Sequence, residues 1–195
     1  MNICVFCASS QKIDPKYVDL ATEVGTELAL RGHTLVSGGA TVSCMGAVTS
    51  AARAAGGRTV GVIPQVLVDI EVADNESDEL IITADMRERK GVMDARSDAF
   101  LVLPGGIGTL EELFEIWTAR VLGVHTKPLV ILDPWGLYEP LRSLVEHMYD
   151  EGFTRANVFD AISWAKSVQE ALTLLESPAQ PMEPSVEELG ESTGS

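Results

Sequence analysis

The chain has 195 residues, of which 46% are apolar, so it is long enough and apolar enough for one domain with a sizeable core. No apolar run reaches the roughly 18–20 residues that span a bilayer, and the N-terminus lacks the basic segment and cleavage site of a secretory signal, so we expect a cytoplasmic protein without a membrane partner. The net charge of −15 argues against binding nucleic acid, which needs clustered Lys and Arg, but not against binding a small phosphorylated ligand.

Short apolar runs rich in β-branched residues alternate along the chain with longer amphipathic segments. The predicted strands are Ile3–Phe6, Thr34–Val36, Thr59–Ile63, Leu80–Thr83, Ala99–Leu103 and Leu129–Leu132, with a last one near Ile162. The predicted helices are Pro15–Arg31, Met45–Ala55, Met86–Arg96, Leu110–Leu122, Pro140–Glu151 and Val168–Glu176. Several strands lack polar alternation, which is typical of a parallel sheet covered on both faces. The pattern predicts an α/β fold: a Rossmann-like, doubly wound, mostly parallel sheet with helices on both faces, forming a single domain over 1–176.

The composition changes at Ser177 to Pro, Ser, Glu and Gly, with little apolar surface to bury. The segment 177–195 contains acidic residues and no Lys or Arg. We therefore expect a disordered acidic tail over 177–195.

Neither the cysteines nor the histidines form a pattern that would hold a metal. Cys4 and Cys7 match C-x-x-C, but they lie on a predicted strand, where residues three apart face opposite sides. The histidines are far apart in sequence and show no metal-binding spacing. We expect neither a metal site nor a cofactor.

A glycine-rich turn links a predicted strand to a predicted helix at Pro104-Gly105-Gly106-Ile107-Gly108-Thr109. Glycines let the backbone approach a ligand closely, and a helix N-terminus presents free N–H groups, so a phosphate is the expected occupant. No Gly-Lys-Ser/Thr follows, and Glu111 replaces the last glycine of a dinucleotide fingerprint. The alternative is that Thr109 and Glu112 form only a helix capping box, although a cap alone would not need three glycines.

Two further segments point to the same ligand. Ser37-Gly38-Gly39-Ala40 also follows a strand and precedes a helix, so two glycine turns could hold one ligand at two ends. Three cations, Arg87, Arg89 and Lys90, lie at a predicted helix start, where the helix dipole favours acids. This unfavourable placement indicates an anionic ligand. The alternative is a solvated turn in which these cations pair with Asp85, Glu88 or Asp94.

Taken together, these motifs strongly resemble the Lonely Guy (LOG) family of cytokinin riboside 5′-monophosphate phosphoribohydrolases, many of which carry the older label lysine decarboxylase. The resemblance extends from about Ile3 to beyond Phe153. The matching residues are Pro104, Gly105, Gly106, Gly108, Thr109 and Glu112 of P-G-G-x-G-T-x-x-E, the pair Arg89 and Lys90, and Trp117, Thr118, Leu122, Gly123, His125, Lys127 and Pro128 of W-T…L-G-x-H-x-K-P.

The resemblance implies a hydrolase that cleaves the N-glycosidic bond of a nucleoside 5′-monophosphate, and it implies a homodimer. Arg89 and Glu112 would be the catalytic pair, Gly105 to Thr109 the phosphate cradle, and Thr118 a contact supplied across the dimer interface. The expected substrate-binding residues are Ser37, Gly38, Gly39, Glu71, Met86, Arg89, Lys90, Gly105, Gly106, Ile107, Gly108, Thr109, Leu110, Glu111, Glu112 and Thr118.

Two departures from the family pattern bear on how the base is held. The segment from Ser37 to Gly46 lacks two glycines and a leucine that are usual there, and Met86-Arg87 replaces a frequent Met-His. Neither departure involves the proposed catalytic pair.

Two other functions compete with hydrolysis. One is a non-catalytic nucleotide-sensing module on the same fold, which the retention of both Arg89 and Glu112 disfavours. The other is lysine decarboxylation, which needs a lysine that forms a Schiff base with pyridoxal phosphate. Only Lys90 among the lysines lies near the predicted site, and there it is expected to contact the phosphate instead.

Overall fold

The computed structural model describes residues 1–70 and 72–178, and within them the chain forms seven strands and eight helices. The strands are β1 (Asn2–Phe6), β2 (Thr34–Ser37), β3 (Thr59–Pro64), β4 (Glu79–Thr83), β5 (Ala99–Val102), β6 (Leu129–Leu132) and β7 (Ser163–Ala165). The helices are α1 (Pro15–Leu30), α2 (Ser43–Ala54), α3 (Gln65–Val68), α4 (Met86–Ala95), α5 (Ile107–Val121), α6 (Glu139–Asp150), α7 (Asn157–Asp160) and α8 (Val168–Glu176). None of these helices is long and apolar enough to cross a membrane. Glu71 and the predicted tail from 179 onward lie outside the described residues.

The strands form one sheet in the order β4-β3-β2-β1-β5-β6-β7, and every neighbouring pair is parallel. Successive strands move outward from β1 to β4, and the chain then returns to the other side of β1 with β5. The strand order therefore reverses between β1 and β5, where ligands bind in open α/β sheets. The predicted doubly wound α/β fold is confirmed.

Alternate residues of the buried strands supply two separate cores, one on each face of the sheet. Ile3 and Val5 of β1 pack with α1, α2 and α8, whereas Cys4 and Phe6 pack with α4, α5 and α6. Cys7 belongs to the first core. The predicted separation of Cys4 from Cys7 on opposite faces is therefore confirmed, and both thiols are free and buried.

Most element boundaries lie within a residue or two of those predicted, but α5 begins at Ile107 instead of Leu110. The last residues of the glycine turn are already helical, and Gly106 is the N-cap. The short helices α3 and α7 were not predicted, because a single turn is too short to show an amphipathic period.

Candidate active site

A cavity of about 710 Å³ opens at the carboxyl ends of the strands, where the strand order reverses. Its wall includes residues 7–10 after β1, Gly38 and Ala40 after β2, and Pro104 to Thr109 after β5. Arg89 and Glu112 complete this part of the wall. A site formed by several strand-following loops fits the general rule for open α/β sheets.

Arg89 and Glu112 form a buried ion pair in the cavity wall. The Arg89 side chain, on α4, is 4% exposed; its Nε donates to the Val62 carbonyl oxygen at 3.0 Å and its Nη1 to Glu112 Oε1 at 3.0 Å. Burial raises the pKa of Glu112 above its ordinary value, and the charge and hydrogen bond of Arg89 oppose that rise. The pair therefore places a fixed carboxylate and a fixed guanidinium side by side at the cavity surface.

The glycine turn after β2 gives the Arg89 side chain its space. A Cβ atom at Gly38 would lie 1.9 Å from Arg89 Nη2, so any other residue would displace the guanidinium. Gly39 has a φ of +69°, which turns the chain directly after Gly38. Gly38 lines the cavity, whereas Ser37 is buried beneath it and accepts a hydrogen bond from the Gly39 N–H at 3.4 Å. This turn contributes to the site chiefly by admitting Arg89.

The glycine turn after β5 surrounds the N-terminus of α5, and all five residues from Gly105 to Thr109 line the cavity. A Cβ at Gly106 or Gly108 would meet no atom within 4 Å, so both glycines leave space that a ligand can enter. The first-turn N–H groups of α5 have no partner within the helix and carry the positive end of its dipole. The turn therefore has the composition of an anion-binding site.

The capping-box alternative for Thr109 and Glu112 is wrong. The helix begins earlier than predicted, so its N-cap is Gly106 and not Thr109. The Thr109 hydroxyl instead donates to the Cys7 carbonyl oxygen at 3.2 Å, which ties the loop after β1 to α5. The Glu112 carboxylate accepts a hydrogen bond from Arg89.

Of the three cations at the start of α4, only Arg89 reaches the cavity. Lys90 binds the carboxylates of Glu111 and Glu115 on α5, which raise its pKa. Arg87 is exposed. The alternative pairing with Asp85, Glu88 or Asp94 is therefore wrong for Lys90, whose partners are on α5, and Lys90, expected to contact the substrate, is not part of the cavity wall.

Of the remaining residues predicted to bind the substrate, some line the cavity and others do not. Met86 and Glu111 line the cavity, whereas Leu110 packs against the core and Thr118 is exposed on α5 outside the cavity. Glu71 lies outside the described residues.

Two parts of the wall carry no motif in the sequence. The first is the loop after β1, at residues 7–10. The apolar residues of the second part come from α1 and α2, from the residues just before these helices and from the segment after β3, and they look like ordinary core positions in the sequence. They are Ile13, Tyr17, Val42, Met45, Leu67, Ile70 and Val72.

Fold and site together define a Rossmann-like α/β protein with a carboxylate–guanidinium pair that shares a cavity with the glycine-rich N-terminus of α5. Residues 45–175 match the family described as "possible lysine decarboxylase". The chain is 51% identical over 171 residues to the cytokinin riboside 5′-monophosphate phosphoribohydrolase of Mycobacterium tuberculosis, covering 88% of this chain and 91% of that protein. It is 42% identical over 175 residues to a protein of the same name from Arabidopsis thaliana, covering 90% and 81%. The chain belongs to the family of cytokinin riboside 5′-monophosphate phosphoribohydrolases.

Solved structures share the fold at lower identity. The molybdenum cofactor binding protein of Rippkaea orientalis aligns with a TM-score of 0.68 and 22% identity, over 89% of this chain and 94% of that one. The molybdenum cofactor carrier protein of Chlamydomonas reinhardtii aligns with a TM-score of 0.67 and 23% identity, over 88% and 93%. At these identities the likeness establishes the fold alone.

Proposed function

We propose that the protein hydrolyses the N-glycosidic bond of a nucleoside 5′-monophosphate, releasing the free base and ribose 5-phosphate. The names of its relatives support this reaction. The observation that carries it is the buried Arg89–Glu112 pair, which shares one cavity with the glycine turn at the start of α5. This arrangement combines a carboxylate that can stabilise a positively charged sugar with a helix N-terminus that can bind a phosphate.

Glycosidic cleavage passes through a sugar with oxocarbenium character, as in glycoside hydrolysis. The C1′–N bond breaks with its electron pair leaving on the base, water forms the new bond to C1′, and the base takes up a proton. An ionised Glu112 below the ring stabilises the positive sugar and can accept a proton from the attacking water. Arg89 keeps that carboxylate ionised and in place through the 3.0 Å contact of its Nη1.

The apolar part of the wall supports a preference for a purine base that carries an apolar N6 substituent, as in cytokinins, over AMP. Leu67, Ile70 and Val72 follow β3, which is three strand positions from β5 in the sheet. At about 4.8 Å per strand, these loops lie about 14 Å apart, comparable to the span of a nucleotide from its phosphate to its base. With the phosphate at α5, the base would therefore reach the apolar wall.

We expect the 5′-phosphate to be required. A phosphate held at the start of α5 positions the sugar over Glu112, so its removal should lower kcat as well as raise KM. The measurement is release of free base from AMP and adenosine, and from N6-isopentenyladenosine 5′-monophosphate and its riboside, at equal enzyme concentration. The monophosphate should have a kcat/KM at least about a hundredfold higher than its riboside.

Three results would contradict the proposal: one from that experiment, one from it together with a nucleotide-binding titration, and one from a separate incubation with lysine. Equal rates with and without the phosphate would show that the phosphate cradle, Gly105 to Thr109, does not contribute to catalysis. Nucleotide binding without any release of base would favour the non-catalytic sensing module. Cadaverine formed from lysine with added pyridoxal phosphate would replace the reaction class.

We also propose that the protein is a homodimer, and we expect it to sediment at twice the chain mass of 20.9 kDa. Phe114 on α5 is 42% exposed and Leu122 at the end of that helix 67%, with Thr118 exposed between them. Exposed apolar side chains that cluster on one helix commonly mark an interface. Analytical ultracentrifugation tests this.

Phe114→Asp tests the dimer interface, and Phe153→Asp is its matched control. Both rings are exposed, but Phe153 follows α6 and is not on α5. Only Phe114→Asp should shift the protein to the monomer. A wild-type protein that sediments at the mass of one chain would refute the dimer and any role for Thr118 across it.

We place the protein in the cytoplasm. Nucleoside monophosphates are intracellular metabolites, and the cysteines are free and buried, which fits a reducing compartment.

A further inference from the structure

Tyr138, which immediately precedes α6, contacts the backbone of the phosphate-binding turn from beneath. The residue is 3% exposed and packs in the core on the α5 and α6 face of the sheet. Its single hydroxyl proton is shared between two acceptors, the Leu103 carbonyl oxygen at 3.1 Å and the Gly105 carbonyl oxygen at 3.5 Å. A buried phenol hydroxyl thus contacts two carbonyl oxygens where the chain leaves β5 and enters the glycine turn.

The position of Tyr138 is itself fixed by a buried carboxylate. Asp133, 1% exposed, directly follows β6 and accepts the N–H groups of Leu137 and Tyr138, each at 2.9 Å. The Asp133 N–H donates to the Ala165 carbonyl oxygen of β7 at 3.0 Å. A chain of hydrogen bonds therefore runs from the sheet through Asp133 and Tyr138 to the glycine turn.

The planar geometry of the Gly105–Gly106 peptide links the direction of the Gly105 carbonyl to that of the Gly106 N–H. In a trans peptide the C=O and the next N–H point in opposite directions. If the Gly105 carbonyl faces Tyr138 and the core, the N–H of Gly106 faces away from the core, towards the cavity that Gly105 and Gly106 line. The bond to Leu103 fixes the residue at which the turn leaves β5, because the Leu103 N–H is also held by the Phe6 carbonyl oxygen at 2.9 Å.

We propose that Tyr138 is a positioning residue for the phosphate cradle: its hydroxyl turns the Gly105 carbonyl inward and so aims the Gly106 N–H at the bound 5′-phosphate. This inference rests on the proposed function for the identity of the ligand. A preorganised N–H binds an anion without having to reorient when the anion arrives. Without the hydroxyl, the Gly105–Gly106 peptide can rotate and present its carbonyl oxygen to the phosphate.

The test is Tyr138→Phe, which keeps the ring in the core and removes only the hydroxyl. The matched control is Tyr149→Phe, in which a 44% exposed tyrosine of α6 loses the same group. The first readout is the affinity for ribose 5-phosphate measured by titration calorimetry. Loss of one N–H contact to an anion should weaken that affinity about tenfold in Tyr138→Phe and leave it unchanged in Tyr149→Phe.

The second readout is the ratio of kcat/KM for a monophosphate to kcat/KM for the corresponding riboside, which should fall by a similar factor. A structural role alone would lower Tm and leave both the affinity and this ratio unchanged, and that result would overturn the inference. If Tyr138→Phe could not be purified folded, Asp133→Asn would replace it, because it weakens the support of the same turn. An unchanged affinity in Asp133→Asn would count against the inference equally.

The two proposals can fail separately. If the wild type binds ribose 5-phosphate but cleaves no nucleotide, and Tyr138→Phe still weakens that binding, the positioning role stands and the proposed reaction fails. If the wild type cleaves nucleotides but Tyr138→Phe binds ribose 5-phosphate as well as wild type does, the reaction stands and the role of Tyr138 is refuted.

Discussion

Replacing Glu112 with Gln should lower kcat at least about 10²–10³-fold while leaving the fold and most nucleotide binding intact. Gln has the size of Glu and keeps an oxygen that can accept from Arg89, but it lacks the charge that meets the oxocarbenium-like sugar. The effect should fall on kcat because that charge develops only as the bond breaks. The measurement is steady-state release of free base, with circular dichroism to verify the fold.

The control for Glu112→Gln is Glu115→Gln on the same helix. Glu115 is 48% exposed and pairs with Lys90, and it is not among the residues that line the cavity. Its loss should leave turnover close to that of the wild type. Near-normal turnover in Glu112→Gln would mean that the buried pair only holds α4 to α5.

The pH profile tests the same carboxylate in the unmodified protein. Burial raises the pKa of Glu112, so the acid limb of kcat/KM should lie at higher pH than an ordinary glutamate, whose pKa is about 4.3, would give. Because this pKa is higher in the folded state, the group adds stability below its unfolded pKa and loses that contribution as the pH rises through its folded pKa. The loss of activity on acidification should therefore precede any unfolding by circular dichroism.

Replacing Gly38 with Ala should reduce kcat/KM about a hundredfold and lower Tm, because it disturbs the buried Arg89–Glu112 pair while the protein still folds. The new Cβ would lie 1.9 Å from Arg89 Nη2, and the end of a flexible side chain can move away without unfolding the protein. The guanidinium would then leave Glu112, and a displacement of about 1 Å in a catalytic group can lower the rate a hundredfold. Base release and thermal unfolding are the two measurements.

The matched variant is Gly91→Ala, on the same helix as Arg89. A Cβ at Gly91 would meet no atom within 4 Å, and Ala favours an exposed helix position by about 1 kcal/mol over Gly. Activity should be unchanged and Tm slightly raised. Full activity in Gly38→Ala would show that the reaction does not depend on where Arg89 sits.

The sequence by itself determined the fold class and the position of the glycine turn that lines the cavity. A parallel sheet that is buried on both faces needs strands that are apolar throughout, separated by amphipathic helices. Each of these segments is short and continuous, so the pattern can be recognised along the sequence. The glycines at 105, 106 and 108 were likewise visible, because a strand followed by a glycine turn and a helix is a local signal.

Only the tertiary structure decided which polar side chains face the cavity. Arg89 and Lys90 are adjacent, and successive side chains of a helix point about 100° apart. The orientation of α4 against its neighbours therefore decides that Arg89 contacts Glu112, whereas Lys90 contacts Glu111 and Glu115. The roles of Gly38 and Tyr138 depend in the same way on contacts across the sheet, with Arg89 and with the Gly105 turn. Local sequence patterns set secondary structure, but a contact between residues far apart in the chain exists only once the helices have packed.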